Sequence, residues 1–240
     1  LPAKVLKEIN GKTLLDIHLQ RIKKSKLISD IMVATTNENE SVLIVDIAKR
    51  NNVLYYKGSL NDVLERFYLA AKTYNPEFVV RLTSDCPLID AKVIDEVLNV
   101  LINSDYDYVA TGLIPSYPDG ISIEAFTFSS LEKAYNEAEL QSEREHVTPY
   151  IWKNSTVKGG NLFKSFNLSY AKDYSNYRLT VDTIEDFQLM ESLIKNVGME
   201  KDWLDYIDFL NQNQEIFNIN SKYKRNEGYT KSLNNDKKIK

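Results

Sequence analysis

The sequence predicts a three-layer α/β fold, with helices covering both faces of a mainly parallel, Rossmann-like sheet. Three observations carry this. Short apolar runs of strand type alternate with longer segments of helical period. The segments between the runs are long enough for the crossover helix that two parallel neighbours need. The chain has 240 residues, 43% apolar and 27% charged, enough to bury about 70–75% of its unfolded surface in one core.

The elements follow in order. A first helix carries His18. Ile31–Thr36, Val53–Tyr56 and Phe78–Leu82 are unbroken β-type runs, the pattern of strands covered on both faces. Residues 41–50 and 60–74 are the crossovers between them, the second opened by Ser59 with Asp62 three residues on. Asp90 caps a helix over 92–103, whose Val93, Ile94, Val97, Leu98 and Leu101 share one face. Asp107–Thr111 is the next strand. Residues 112–127 then hold two Pro and two Gly, and the rhythm stops. Helices are expected at 129–139 and 143–153 and a strand at 162–169. The rhythm returns with a strand at Tyr177–Asp182 and a helix over 184–196, followed by short helices at 203–211 and 213–218. Residues 112–170 therefore read as an excursion within a single domain spanning 1–240.

Composition excludes several classes. A net charge of −4 argues against general nucleic-acid binding. One cysteine, Cys86, permits no internal disulfide and suits a reducing, cytoplasmic compartment. No apolar run approaches the ~20 residues of a membrane span, and no signal-peptide pattern is seen. Residues 221–240 form a basic tail, seven Lys or Arg against Glu227 and Asp236. Such an end is expected to be solvated and frayed, with contact to phosphates or a membrane as the alternative. Leu1-Pro2-Ala3-Lys4 reads as the interior of a longer sequence, so a preceding segment is expected.

The candidate chemistry sits where strands end, the usual ligand edge of such sheets. In Arg81-Leu-Thr-Ser-Asp85-Cys-Pro-Leu-Ile-Asp90 an apolar strand runs into a loop with an acid. Asp85 there either holds a cation such as Mg²⁺, which takes carboxylates plus substrate phosphates, or simply turns the loop. In Arg178-Leu-Thr-Val-Asp182-Thr-Ile-Glu-Asp186 the pair Thr183 and Asp186 forms a capping box. That leaves Asp182 without a capping role and gives weight to a ligand role over a turn. Ser142 with Glu145 reads as a second capping box, with His146 one residue on. Neither histidine has a partner at zinc spacing. No nucleophile elbow, dinucleotide fingerprint or complete phosphate-binding loop is present. Cys86 reads as packing.

Taken together, Leu1-Pro-x-Lys4, Gly58-Ser-x-x-Asp62-Val-Leu-x-Arg66, Arg81 to Asp90, Tyr117-Pro-Asp-Gly120, Ser142-Glu-Arg-Glu-His-Val-Thr-Pro-Tyr150, Arg178-Leu-Thr-Val-Asp182-Thr and Arg225-Asn-Glu-Gly-Tyr229 resemble the spore-coat polysaccharide biosynthesis protein F family. That family is related to the acylneuraminate and 3-deoxy-manno-octulosonate cytidylyltransferases. The likeness runs in order from residue 1 to about 235. Each piece is weak alone, and the set is specific.

The resemblance implies the nucleotide-diphospho-sugar transferase fold and transfer of CMP from CTP to a sugar acid of sialic, nonulosonic or octulosonic type. Pyrophosphate leaves, Mg²⁺ is required, and the excursion covers the sugar and makes a homodimer. In the family a loop of the type Arg-x-x-Ser-x-Arg-Leu-Pro-x-Lys wraps the triphosphate. Leu1 stands at the Leu of that loop and Lys4 at its Lys. The same resemblance implies Asp85 and Asp182 as the Mg²⁺ ligands and, with Lys4, as the catalytic set. Asp62, Arg66, Arg81, Ser84, Arg144, His146 and Arg178 are the expected substrate contacts, Ser84 standing where relatives often carry Gly. Salt bridges are the competing reading for Arg81, Arg144 and Arg178, and pairing with each other for Asp62 and Arg66. A nucleotidyltransferase using another nucleotide or a sugar phosphate, and a non-catalytic nucleotide-sugar-binding module, are the alternative functions.

Overall fold

A computed structural model describes residues 1–239; Lys240, the last residue of the basic tail, lies outside them. In chain order the elements are β1 (Glu8–Ile9), β2 (Lys12–Thr13), α1 (Leu14–Ile22), β3 (Met32–Thr36), α2 (Ser41–Arg50), β4 (Leu54–Gly58), α3 (Val63–Lys72), β5 (Phe78–Arg81), α4 (Ala91–Ile102), β6 (Tyr108–Ala110) and β7 (Glu124–Thr127). There follow α5 (Phe128–Glu137), α6 (Gln141–His146), α7 (Pro149–Lys153), β8 (Ser165–Asn167), α8 (Ile184–Asn196), α9 (Trp203–Gln212), α10 (Gln214–Phe217) and α11 (Glu227–Asn234). Among the described residues no helix is long and apolar enough to cross a membrane.

The α/β class and its layering are as expected. β3 and β4 pair in parallel, joined by α2. The larger sheet has the order β5-β7-β6-β8. Side chains alternate across it. Val109 and Ala125 face a core built with α4, α8 and α9, while Tyr108, Ala110 and Phe126 face another built with α3, α5 and α7. Helices thus cover both faces.

The sheet is mixed where a mainly parallel one was expected. β7 comes from the excursion and runs antiparallel to both β5 and β6, while β6 and β8 are parallel. The β-α-β rhythm before residue 111 could not reveal that the excursion returns one of its own strands to the sheet. Three further expectations are corrected. Tyr177–Asp182 is extended but, among the described residues, makes only one bridge, Arg178 to Asp119. Its amides are spent on loops, Leu179 N–H donating to the Asp119 carbonyl and Val181 N–H to that of Asp85. The helix expected over 143–153 is two helices, broken at Val147 with φ +72° and restarted by Pro149 at its first position. The basic tail is folded back, with α11 packed on α6.

Gly120 shows how tightly the loops are set. Its φ is +112°, and an added Cβ would lie 2.5 Å from the Leu179 carbonyl carbon. Gly120→Ala is therefore expected to destabilise the fold by about 3 kcal/mol, from backbone strain plus overlap with rigid backbone. Urea unfolding measures it; a change below about 1 kcal/mol would show that the 119–179 approach is loose.

Candidate active site

The Phe78–Arg81 strand ends and its chain turns through Asp85 before Asp90 caps α4 by accepting from Lys92 N–H at 2.9 Å. Asp182 ends its own extended run just before Thr183, which caps α8 in a reciprocal box with Asp186. These two ends meet. The Lys4 ammonium donates to Asp85 Oδ2 at 2.8 Å and to Asp182 Oδ1 at 2.7 Å. Burial alone would disfavour the Asp85 carboxylate, but the Lys4 ammonium overrides it and holds the group below the usual carboxylate range. Lys4 is raised in turn, the two carboxylates outweighing its own desolvation.

Behind this trio lies a charge lattice. Arg178 donates to Asp182 at 2.7 Å, to Asp119 at 2.9 Å and to Asp186 at 2.9 and 3.0 Å. Asp186 is fully buried and also accepts from Asp182 N–H, Thr183 N–H and the Asn220 amide. Arg225 donates to the Tyr117 carbonyl and to Ser122 and lies 3.7 Å from Asp119. Asp119 itself is raised, burial outweighing the two guanidinium groups beside it.

The trio opens on a cavity of about 760 Å³. One wall is a second polar network on the sheet. Arg81 pairs with Glu124 across the β5–β7 register, and Glu124 also accepts from the Tyr108 and Thr148 hydroxyls. His146 and Thr148 flank Val147, whose φ of +72° and ψ of −58° with Thr148 N–H bonded to the His146 carbonyl make a strained γ-turn. Val147 is fully buried, so packing holds the turn and fixes both neighbours toward the cavity. Burial lowers the His146 imidazole below its ordinary value, so it is neutral at neutral pH.

The residues singled out in the sequence divide into three groups. Asp85, Asp182, Arg81, Arg178 and His146 line this cavity, and Lys4 joins the two acids at its floor. Arg66 and Ser84 line a different cavity of about 550 Å³, between β3 and β5. Asp62 and Arg144 line neither. Arg144 is 5% exposed and is spent on Asp62 at 2.6 Å and on the Tyr135 and Ala138 carbonyls. Its guanidinium braces α3 against the α5–α6 turn, buried away from both cavities. Asp62 is the N-cap of α3, accepting from Glu65 N–H, and Arg66 donates to the Ser59 carbonyl, so the two do not pair. Ser142 does not cap a helix with Glu145: its hydroxyl donates to Asp236, and Glu143 takes the place at the helix start. Cys86 is buried, with its thiol pushed up by desolvation and by Asp85.

Sequence reasoning passed over Glu124, which sits in an unremarkable strand, and gave no role to Asp119 or Arg225. A signal existed for the last two, since Asp119 precedes a glycine in a turn and Arg225 lies within the basic run.

The arrangement can hold a polyphosphate. Two carboxylates converge on one cation, a bridging ammonium lies between them, and the cavity beyond accommodates a second reactant. The donor set fits Mg²⁺: two oxygen ligands already meet at a single positive point, leaving further positions for phosphate oxygens and water.

Comparison with known proteins gives the family. A family model described as Cytidylyltransferase matches residues 1–225. An uncharacterized protein of Methanocaldococcus jannaschii is 43% identical over 225 residues, covering 92% of this chain and 89% of the relative. The spore coat polysaccharide biosynthesis protein SpsF of Bacillus subtilis is 26% identical over 224 residues, 90% of each. Among solved structures, a cytidylyltransferase from Leptospira borgpetersenii superposes with a TM-score of 0.84 at 39% identity, covering 90% of both chains.

Proposed function

The chain belongs to the cytidylyltransferase family, and on that premise we propose that it transfers CMP from CTP to a sugar acid, releasing pyrophosphate, in the synthesis of a surface polysaccharide or glycan. The observation that carries this is the convergence of Asp85 and Asp182 on one cationic point at the floor of a cavity large enough for a second reactant.

An acceptor hydroxyl attacks the α-phosphorus of CTP, the bond from that phosphorus to the bridging oxygen breaks, and pyrophosphate leaves. Little covalent work falls to the protein; positioning and charge do the rest. Asp85 and Asp182 would hold Mg²⁺, which when bound neutralises triphosphate charge and orients it. Lys4 then turns from the carboxylates to the leaving phosphates, an easy motion for a flexible stem carrying a point charge. Arg178 keeps Asp182 oriented from behind, bonded at once to Asp119 and Asp186. Arg81 and Glu124 present a fixed polar wall to the acceptor.

The test is pyrophosphate release with Mg²⁺, each of the four nucleoside triphosphates, and a panel of sialic-type and octulosonic acids. Release with CTP and an acid alone is the expected result. Release with a different triphosphate, or with a sugar phosphate in place of every acid, would overturn the assignment.

A further inference from the structure

We propose that the C-terminal segment from Tyr223 to Lys231 is the acceptor-binding wall of the same cavity, and that Lys224 and Lys231 receive the acceptor's carboxylate. This rests on the cytidylyltransferase reading for the identity of the acceptor, but not for the placement of the two lysines.

The segment is tied down at both ends. At its start Arg225 donates to the Tyr117 carbonyl at 3.1 Å and to the Ser122 hydroxyl at 2.9 Å. Beyond its other end, Asp236 accepts from Ser142 N–H at 2.9 Å and from the Ser142 hydroxyl at 2.7 Å. Just beyond, Gln141 N–H donates to the Lys237 carbonyl and Ile239 N–H to that of Glu139. Between these anchors the Ser232 hydroxyl bonds His146 Nε2 at 2.9 Å, and the Tyr229 ring meets His146 edge-on at 5.1 Å and Trp152 at 5.8 Å. A basic run that composition alone would leave in solvent is thus held across the cavity by contacts at each end and in the middle. Ordering such a segment costs conformational entropy at every residue, and the cavity is what it covers.

The charges lining the cavity then sort into paired and unpaired groups. The arginines along the cavity are each matched: Arg81 by Glu124, Arg178 by three aspartates, Arg225 by Asp119. The Lys158 ammonium donates to the Leu113 carbonyl. Lys224 and Lys231 line the cavity, and among the described residues neither is in an ion pair. The floor at Asp85 and Asp182 is anionic and takes the cation-bearing nucleotide. The C-terminal wall, which starts on the Asp182 side where Tyr223 lies against Arg178, offers these two ammonium groups, with the Glu227 carboxylate accepting from the Lys224 amide between them. A reactant carrying a hydroxyl toward the α-phosphate and a carboxylate toward Lys224 and Lys231 uses both the floor and this wall, whereas a neutral sugar leaves the two ammonium groups unused.

The test is binding to the CTP-loaded protein, read by calorimetry, with N-acetylneuraminic and 3-deoxy-manno-octulosonic acids as probes and their methyl esters as uncharged controls. The wild type should bind at least one acid ten-fold or more tighter than its ester. Lys224→Gln with Lys231→Gln should remove that preference while leaving CTP affinity unchanged, and the two Lys→Arg changes should keep it. A double Gln variant that retains the preference, or one that loses CTP affinity instead, would overturn the proposal. So would a wild type that binds neither acid better than its ester. Failure of the enzymatic reading shows separately, as absent pyrophosphate release from a protein that still distinguishes acid from ester.

Discussion

Asp85→Asn is expected to lower kcat/KM for cytidylyl transfer by about 10³-fold, the scale on which a charged or preorganised group at a transferring phosphoryl centre is felt. The change keeps size and shape and removes the charge. Asp85 is the more buried of the two acids at the cavity floor, with its side chain 25% exposed against 48% for Asp182. It is held ionised by Lys4 against the pull of desolvation. On the proposed reading, Asp182 would then hold the cation alone and the triphosphate would lose its fixed reference point. The fold should survive, since Lys4 keeps its bond to Asp182 and is itself in reach of water. Titration of CTP in the presence and absence of Mg²⁺ checks the cause: the magnesium-dependent part of the affinity should vanish. An unchanged Mg²⁺-dependent affinity would remove Asp85 from the site.

Asp186→Ala should instead unfold the site from behind, with a cost of about 3–5 kcal/mol, the range for breaking a buried, hydrogen-bonded ion pair by removing one partner. Asp186 is fully buried and binds Arg178, two backbone amides and Asn220. Removal leaves four donors without their acceptor and unseats the Arg178 fork that orients Asp182. The group also gives the stability a definite pH dependence. Burial would raise its carboxyl, but the bonds from Arg178, the Asp182 amide and Asn220 outweigh it, so the folded-state value lies below the unfolded one. The contribution is then complete above the ordinary carboxylate range and is lost as pH falls through it. Urea unfolding at pH 7 and again near pH 3 should show wild type and Asp186→Ala converging at the lower pH. Parallel curves at both would assign the stability to another group.

Much of the fold was legible because it depends on short-range pattern. The runs at 31–36, 53–56 and 78–82 and the caps at Asp90 and Thr183 follow from periodicity and from side chains that satisfy helix-end amides. The antiparallel β7 was not legible, because its partners lie on both sides of it through the register of Arg81 with Glu124 and of Ala110 with Glu124, and register between distant segments leaves no local mark. The break at Val147 was hidden for a related reason: a β-branched residue at positive φ is held there by tertiary packing and contradicts its own preference.

The site divides along the same line. Strand-end acids could be found by position, and the structure brings Asp85 and Asp182 to one ammonium. Arginines could not be sorted, since a guanidinium in a polar loop reads alike whether it faces a cavity, as Arg81 does, or braces two helices, as Arg144 does. The C-terminal segment was misjudged because a basic run signals solvation, whereas its anchors are a few hydrogen bonds to residues about a hundred positions away.

The proposed reaction moves the α-phosphoryl group of CTP to an acid acceptor at the Asp85–Asp182 floor. Its most direct measurement follows a label placed on that phosphorus. CTP labelled at the α-phosphate, with Mg²⁺ and the sugar acids, should deliver the label to a CMP-acid conjugate while unlabelled pyrophosphate accumulates in equal amount. Label that stays in CTP with every acid, or that appears only as free CMP, would rule out cytidylyl transfer to an acid.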